Sequence, residues 1–218
     1  MKRLESNLLN MILSLTVVAL FAAALLGGLY VLTAEPIALQ KAQKQQLAIA
    51  AVLPAAEAME VAPADTVNNL ILYRAYADNN LIGTAVEVEE NGFGGKFRLM
   101  VGFTPEGDIV NYEVLEHQET PGLGDKMGKW FKTDKKRQSV IGKNPSTTHF
   151  IVSKDAGGEV DAITAATISS RAFLRAVQHA YDAQRGIEVE AVTGATWQQP
   201  TDITNEQTEV EPTDNNAL

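Results

Sequence analysis

Apolar residues along this chain fall into three patterns, and each predicts a different kind of element. From Ser6 to Ala34 they run almost without a break and no charged residue intervenes. The stretch contains Leu8-Leu9, Val17 to Leu20 and Leu25-Leu26, and it exceeds the roughly 20 residues needed to cross a bilayer. Further on, short apolar segments bounded by turn residues predict strands around Leu70–Tyr76, Ala85–Val88, Lys96–Phe103, Ile109–Glu116 and His149–Val152. The third pattern is a helical stripe, in which Ala172/Phe173, Ala176/Val177 and Ala180/Tyr181 recur on one face.

The segments between these are less regular. Ile37 to Glu60 is rich in Ala, Gln and Leu and reads as a helical stalk or first domain helix, broken near Pro54. Lys129 to Lys143 is basic and polar and is expected to include a helix ending near Gly142. Gln198 to Leu218 has no Lys or Arg and no apolar periodicity, the composition of an acidic disordered tail. The organisation is then a short N-terminus (1–5), a membrane anchor (6–34), a stalk and helical lead-in (35–69), a folded domain (70–197) and a tail (198–218). The fold class is α+β: a twisted antiparallel sheet with packed helices, preceded by one N-terminal transmembrane helix.

A cleaved signal peptide is the rival reading of the N-terminus. Its apolar core runs about 7–15 residues and ends at a small-x-small site, which Leu32-Thr33-Ala34 matches poorly. Lys2 and Arg3 precede the apolar stretch and Glu35 follows it, so the N-terminus stays in the cytoplasm. The body of a single-pass chain then lies on the outer face, which is the periplasmic side of a bacterial inner membrane.

Composition narrows the chemistry. A net charge of −9 disfavours nucleic acid, whose phosphates attract basic surfaces. The basic cluster from Lys132 to Arg137 reads most simply as a solvated face. With no cysteine there is no disulfide, no thiol chemistry and no iron–sulfur ligation by cysteine. His117, His149 and His179 are far apart and lack metal-ligand spacing, so no metal site is expected. Electron transfer by this chain would need an organic cofactor.

Two motifs carry candidate chemistry. In Asp161-Ala-Ile-Thr164-Ala165-Ala166-Thr167-Ile168-Ser169-Ser170 an acid is followed by threonines and alanines just ahead of the helical stripe. Thr167 falls near the first turn, where unpaired N–H groups and the helix dipole favour an anion. Local physics alone favours the plainer reading, an N-cap at Thr164 or Thr167, which needs only one such oxygen. Mid-chain, Glu116-His117-Gln118-Glu119-Thr120-Pro121-Gly122-Leu123-Gly124-Asp125-Lys126 follows a strand and carries a strong loop signal. A second copy of the threonine motif, Glu190 to Thr196, leads into Trp197-Gln198-Gln199-Pro200 and has no helix after it to hold a phosphate.

Together the two motifs resemble the FMN-binding domain of the G subunit of the Rnf ion-translocating electron-transport complex, shared with the C subunit of the sodium-pumping NADH:quinone reductase. The Gly92-Phe93-Gly94-Gly95 segment fits the opening hairpin of that domain, and the resemblance spans about residues 70 to 185. It implies that Thr167 carries FMN through a phosphoester bond, installed from FAD by a flavin transferase. Asp161, Thr164, Ala165, Ala166, Ile168 and Ser169 would surround that attachment, and Glu119, Thr120, Gly122, Leu123 and Gly124 would line the flavin. The family usually has Gly where this chain has Ala165, a change tolerable if the backbone there does not need positive φ.

The implied function is a membrane-anchored electron carrier, not catalytic alone, in a complex that couples electron flow between ferredoxin and NAD to Na+ or H+ transport. Its partners would be the other membrane subunits of that complex. The alternatives are the C subunit of a quinone reductase, a stand-alone flavin domain for extracellular respiration, and a noncatalytic membrane-tethered binding module.

Overall fold

A computed structural model of the chain describes residues 8–55, 59–67 and 70–187. Its first element, α1, is a single helix of 45 residues, Leu8–Val52, long and apolar enough to cross a membrane. Anchor and stalk, expected as separate segments, are therefore one rod. Pro36 lies inside it without ending it. A proline removes one N–H and crowds the preceding turn, but the long apolar and Ala-rich runs on either side continue the ladder. The rod stops at Val52, just before Leu53-Pro54, where the break was expected.

The sheet is six-stranded and its strand pairs are all antiparallel. It consists of β1 (Glu60–Val61), β2 (Asp65–Val67), β3 (Leu70–Ala77), β4 (Asn80–Asn91), β5 (Lys96–Phe103) and β6 (Ile109–Glu116). The order runs β1-β3-β4-β5-β6, with β2 also paired to β3. The last two strands have the bounds read from the sequence. β1 and β2 fall in the stretch read as helical lead-in, because segments of two and three residues carry no periodicity to read. Asp78 and Asn79, with φ of 49° and 63°, make the tight turn between β3 and β4.

Each face of the sheet is covered by one helix. On one side lies α3 (Thr167–Gln184), which buries Ala172, Phe173, Ala176, Val177, Ala180 and Tyr181, the stripe visible in the sequence. Phe173 stacks on Phe131 at 4.2 Å between ring centroids and meets Tyr112 edge-on at 4.8 Å. The Tyr112 hydroxyl donates to the Met127 carbonyl at 2.6 Å, so the buried phenol is satisfied. On the other face the end of α1 places Ala48, Ile49, Val52 and Leu53 against Ala75, Ala85, Met100 and Leu115. Gly102 makes that seat possible: a Cβ there would lie 1.8 Å from the Val52 carbonyl oxygen.

Two expected elements are corrected. The helix anticipated within Lys129 to Lys143 is only α2 (Met127–Trp130), preceded by a 3-10 turn at Gly124–Lys126. The rest of the segment divides its backbone between single local turns, such as Gln138 N–H to Lys135 O at 3.3 Å, and bonds to more distant residues. Val140 N–H donates to Phe131 O at 2.9 Å, Gly142 N–H to Ile109 O at 2.8 Å, and Ile109 N–H to Lys143 O at 3.0 Å. The strand expected at His149–Val152 is a lone parallel bridge between Val152 and Val160. The Thr196 motif copy and the acidic tail lie outside the described residues.

Candidate functional site

Ile163 to Ala166 forms a tight turn, closed by the Ala166 N–H donating to Ile163 O at 3.0 Å. The third residue, Ala165, has φ of 62°. Positive φ at this place in a turn favours Gly, so the condition for a harmless Gly-to-Ala exchange is not met. Ala165 holds a left-handed conformation that costs an L-residue roughly 1–2 kcal/mol. The turn is locked from behind by Ser170, whose hydroxyl accepts from Ile163 N–H at 2.9 Å and donates to Ala166 O at 2.9 Å.

The turn delivers the chain into α3 with Thr167 as its first residue. Neither threonine acts as an N-cap. Among the described residues no side chain caps the helix, and the N–H groups of Thr167, Ile168 and Ser169 have no acceptor. Three donors and the positive end of an 18-residue helix thus converge beside the Thr167 hydroxyl. That is the local arrangement for an anion.

The mid-chain loop comes to the same place. Glu119 is buried and joins three elements. One carboxylate oxygen accepts from the Ser169 hydroxyl at 2.8 Å, the other from Phe93 N–H at 2.9 Å and Gly94 N–H at 3.4 Å. Gly124 passes so close that a Cβ would lie 2.2 Å from the same carboxylate. The resulting cleft, about 310 Å³, is lined by Glu119, Thr120, Leu123 and Gly124 from the loop, Ala165, Ala166, Thr167, Ile168 and Ser169 from the helix head, and Phe93. Its apolar rim is exposed: Phe93 by 70%, Ile168 by 53% and Leu123 by 38%. Such a cleft can hold a negatively charged group at the helix head and a flat apolar one along the rim.

Three expected residues are not in the lining. Gly122 has φ of 79° with open space around its Cα, a turn-forming position. Thr164 is exposed on the turn. Asp161 faces away: it accepts from Ser153 Oγ at 2.7 Å and pairs with Arg137 at 3.5 Å, while its carbonyl accepts from Trp130 Nε1 at 2.9 Å. The Ser153 hydroxyl, with the Arg137 N–H and guanidinium behind it, holds the Asp161 carboxyl below its ordinary pKa. This acid braces the loop and does not line the cleft. Sequence reading missed Phe93 as a wall and Ser170 as the lock. An aromatic set among three glycines was the available signal for the first.

The FMN-binding domain family matches residues 92–182, which contain both motifs. The G subunit of the ion-translocating oxidoreductase complex of Pasteurella multocida is 33% identical over 181 residues, covering 75% of this chain and 87% of that protein. Its counterpart in Methanosarcina acetivorans is 32% identical over 185 residues, covering 82% and 95%. The chain belongs to this G-subunit family. A further member of similar extent is the G subunit of the proton-translocating ferredoxin:NAD(+) oxidoreductase complex of Clostridium ljungdahlii, 29% identical over 173 residues, covering 78% of this chain and 87% of that one. The solved NqrC of Shewanella oneidensis overlays more loosely, with a TM-score of 0.37 at 22% identity over 52% of this chain and 56% of its own. Within the G-subunit family, then, this chain presents the two motifs as one cleft.

Proposed function

We propose that the chain is a membrane-anchored electron-transfer subunit of an ion-translocating oxidoreductase complex, carrying FMN on Thr167. The observation that carries this reading is the uncapped head of α3: a threonine hydroxyl in a cleft, beside three unpartnered N–H groups. The residues fit the group. The helix head suits a phosphate, and the exposed walls of Phe93, Ile168 and Leu123 suit a flat ring system. When bound, FMN supplies the reversible redox chemistry that the side chains lack.

The chain's own residues supply position. Glu119 ties the β4–β5 turn to the loop and to Ser169, fixing the cleft walls relative to the attachment point. Ser170 holds the turn that presents Thr167. Attachment from FAD would join Thr167 Oγ1 to the phosphorus on the flavin side, break the pyrophosphate linkage, release AMP and pass the hydroxyl proton to solvent. A flavin transferase would supply that step. The remaining assignment follows the G-subunit family: other membrane subunits as partners, electron flow between ferredoxin and NAD, Na+ or H+ as the coupling ion, α1 as a single-pass anchor, and the domain on the periplasmic side.

The test is co-expression with a flavin transferase. Denatured protein should fluoresce on a gel and gain the mass of one FMN less water, and Thr167→Ala should be dark. A fluorescent Thr167→Ala, or a Thr196→Ala that is dark instead, would overturn the assignment.

A further inference from the structure

A separate cavity lies against α3 and shares no residue with the cleft. Arg171, Arg175 and Gln178 recur at helical spacing, so they stand on one face of α3, outside the stripe that packs on the sheet. The 145–152 segment lies across that face and encloses with it a space of about 250 Å³. That segment is tied down at both ends. Asn144 Oδ1 accepts from the Ser146 N–H at 3.0 Å and from its hydroxyl at 2.7 Å, while Asn144 Nδ2 donates to Asp108 at 2.9 Å. At the other end Val152 bridges to Val160. The cavity is therefore part of the fold and needs no loop to close over it.

Its two sides differ in chemistry. Pro145, Phe150, Ile151 and Val152 supply an apolar wall, and the charge sits on the helix side. Arg171 is fully matched there: its Nε and Nη2 donate to the two oxygens of Asp155 at 2.8 and 2.6 Å. Arg175 is not. Its Nη2 reaches Glu90 only at 3.4 Å, and its Nε is buried with no acceptor among the described residues. Glu90 has other company, since it accepts from Asn91 N–H at 3.0 Å and lies 3.5 Å from His179 Nδ1. A guanidinium carries five N–H donors in a planar fork that matches a carboxylate, and buried donors rarely go unpaired in native proteins. An apolar wall facing one under-used cation has the general form of a small-ligand site.

We infer that this cavity binds a small organic acid, with its carboxylate on Arg175 and its apolar body against Phe150, Ile151 and Val152. The volume lies below the roughly 300–1,000 Å³ of sites for drug-sized molecules, which keeps the ligand small. A monocarboxylate suits the charge better than a phosphate dianion. Asp155 already neutralises Arg171, so Arg175 is the one guanidinium here with donors to offer. The site stands whether or not Thr167 carries a flavin.

Fluorine NMR of para-fluorobenzoate tests this, with line broadening by the detergent-solubilised full chain read against detergent alone. The matching alcohol, para-fluorobenzyl alcohol, should bind at least about tenfold more weakly, the factor expected for losing a charged hydrogen bond. Arg175→Gln should weaken the acid by a similar factor and leave the alcohol unchanged. Because that variant also takes a partner from Glu90, Thr148→Glu makes the same test from the 145–152 side. It adds an anion to the lining, leaves Arg175 and Glu90 in place, and should abolish binding of the acid with the circular dichroism spectrum intact. Ile168→Glu adds the same charge at the rim of the cleft and should bind the acid as wild type does. No broadening above the detergent blank, or equal affinity for acid and alcohol, overturns the inference. So does acid binding that survives both Arg175→Gln and Thr148→Glu, or that is lost in Ile168→Glu, which would put the acid at the helix head instead.

Discussion

Glu119 offers the sharpest check on how the cleft is built. Replacing it with Ala removes the acceptor for the buried Ser169 hydroxyl at 2.8 Å and for the part-buried Phe93 N–H at 2.9 Å, at a position that is itself buried. Hydrogen bonds to a charged group contribute about 1.5–3 kcal/mol each, and buried donors left unpaired cost about as much. Glu119→Ala should therefore cost about 3–5 kcal/mol, a large part of a total stability of about 5–15 kcal/mol. At roughly 4 °C per kcal/mol for a domain of this size, the melting temperature should fall by about 12–20 °C. Glu119→Gln keeps the shape: its amide oxygen can face the backbone donors and its NH2 group the Ser169 oxygen. It should cost about 1 kcal/mol, in line with a neutral pair replacing a charged one. Thermal unfolding of the detergent-solubilised full chain, followed by circular dichroism, reads all of these. Ser169→Ala completes a cycle in which the double variant should cost at least about 1 kcal/mol less than the sum of the singles. Additive costs, or a Glu119→Ala melting temperature within about 4 °C of wild type, would refute the carboxylate as the joint between the two motifs.

Three further outcomes follow from other contacts. Ala165→Gly should leave the melting temperature unchanged or raise it, since relief at φ of 62° offsets the added chain entropy of about 0.5–1 kcal/mol; Ala165→Val should lower it and impair flavin loading, and a stable, fully loaded Val variant would contradict the observed turn. Gly102→Ala should unseat the end of α1 and expose the Val52–Pro54 segment to limited proteolysis, a result that unchanged protection would exclude. The carboxyls of Asp161 and Asp155, held below their ordinary pKa chiefly by the Ser153 hydroxyl and by Arg171 respectively, stabilise the fold above the unfolded carboxylate pKa of about 4 and lose that contribution as pH falls through their lower folded values. Acid titration of Asp161→Asn should accordingly show a shallower loss of stability below about pH 4 than wild type, and an identical slope would remove Asp161 from the account.

What the sequence determined by itself is local and periodic. An uncharged run longer than a bilayer makes a helix in any context, and the stripe from Ala172 to Tyr181 buries one face wherever it lands. β5 and β6 were legible because each is an eight-residue apolar-rich run bounded by turn residues. The threonine motif and the Pro-Gly loop could be read because residue types at fixed spacing encode turn geometry. Their meeting could not, since it depends on a buried carboxylate finding Ser169 fifty positions away.

Tertiary structure decided the rest. It spent the 129–143 backbone on pairing with Phe131 and Ile109 instead of on a helix, and it drew β1 and β2 into the sheet despite their lack of pattern. It turned Asp161 outward to Ser153 and Arg137, a choice of side-chain partner that spacing does not specify. It also set how the sheet seats on the end of α1, because the rod and the sheet are locked together by contacts between residues 28 to 75 positions apart. Periodicity is a property of neighbours in the chain, whereas a site is made by neighbours in space.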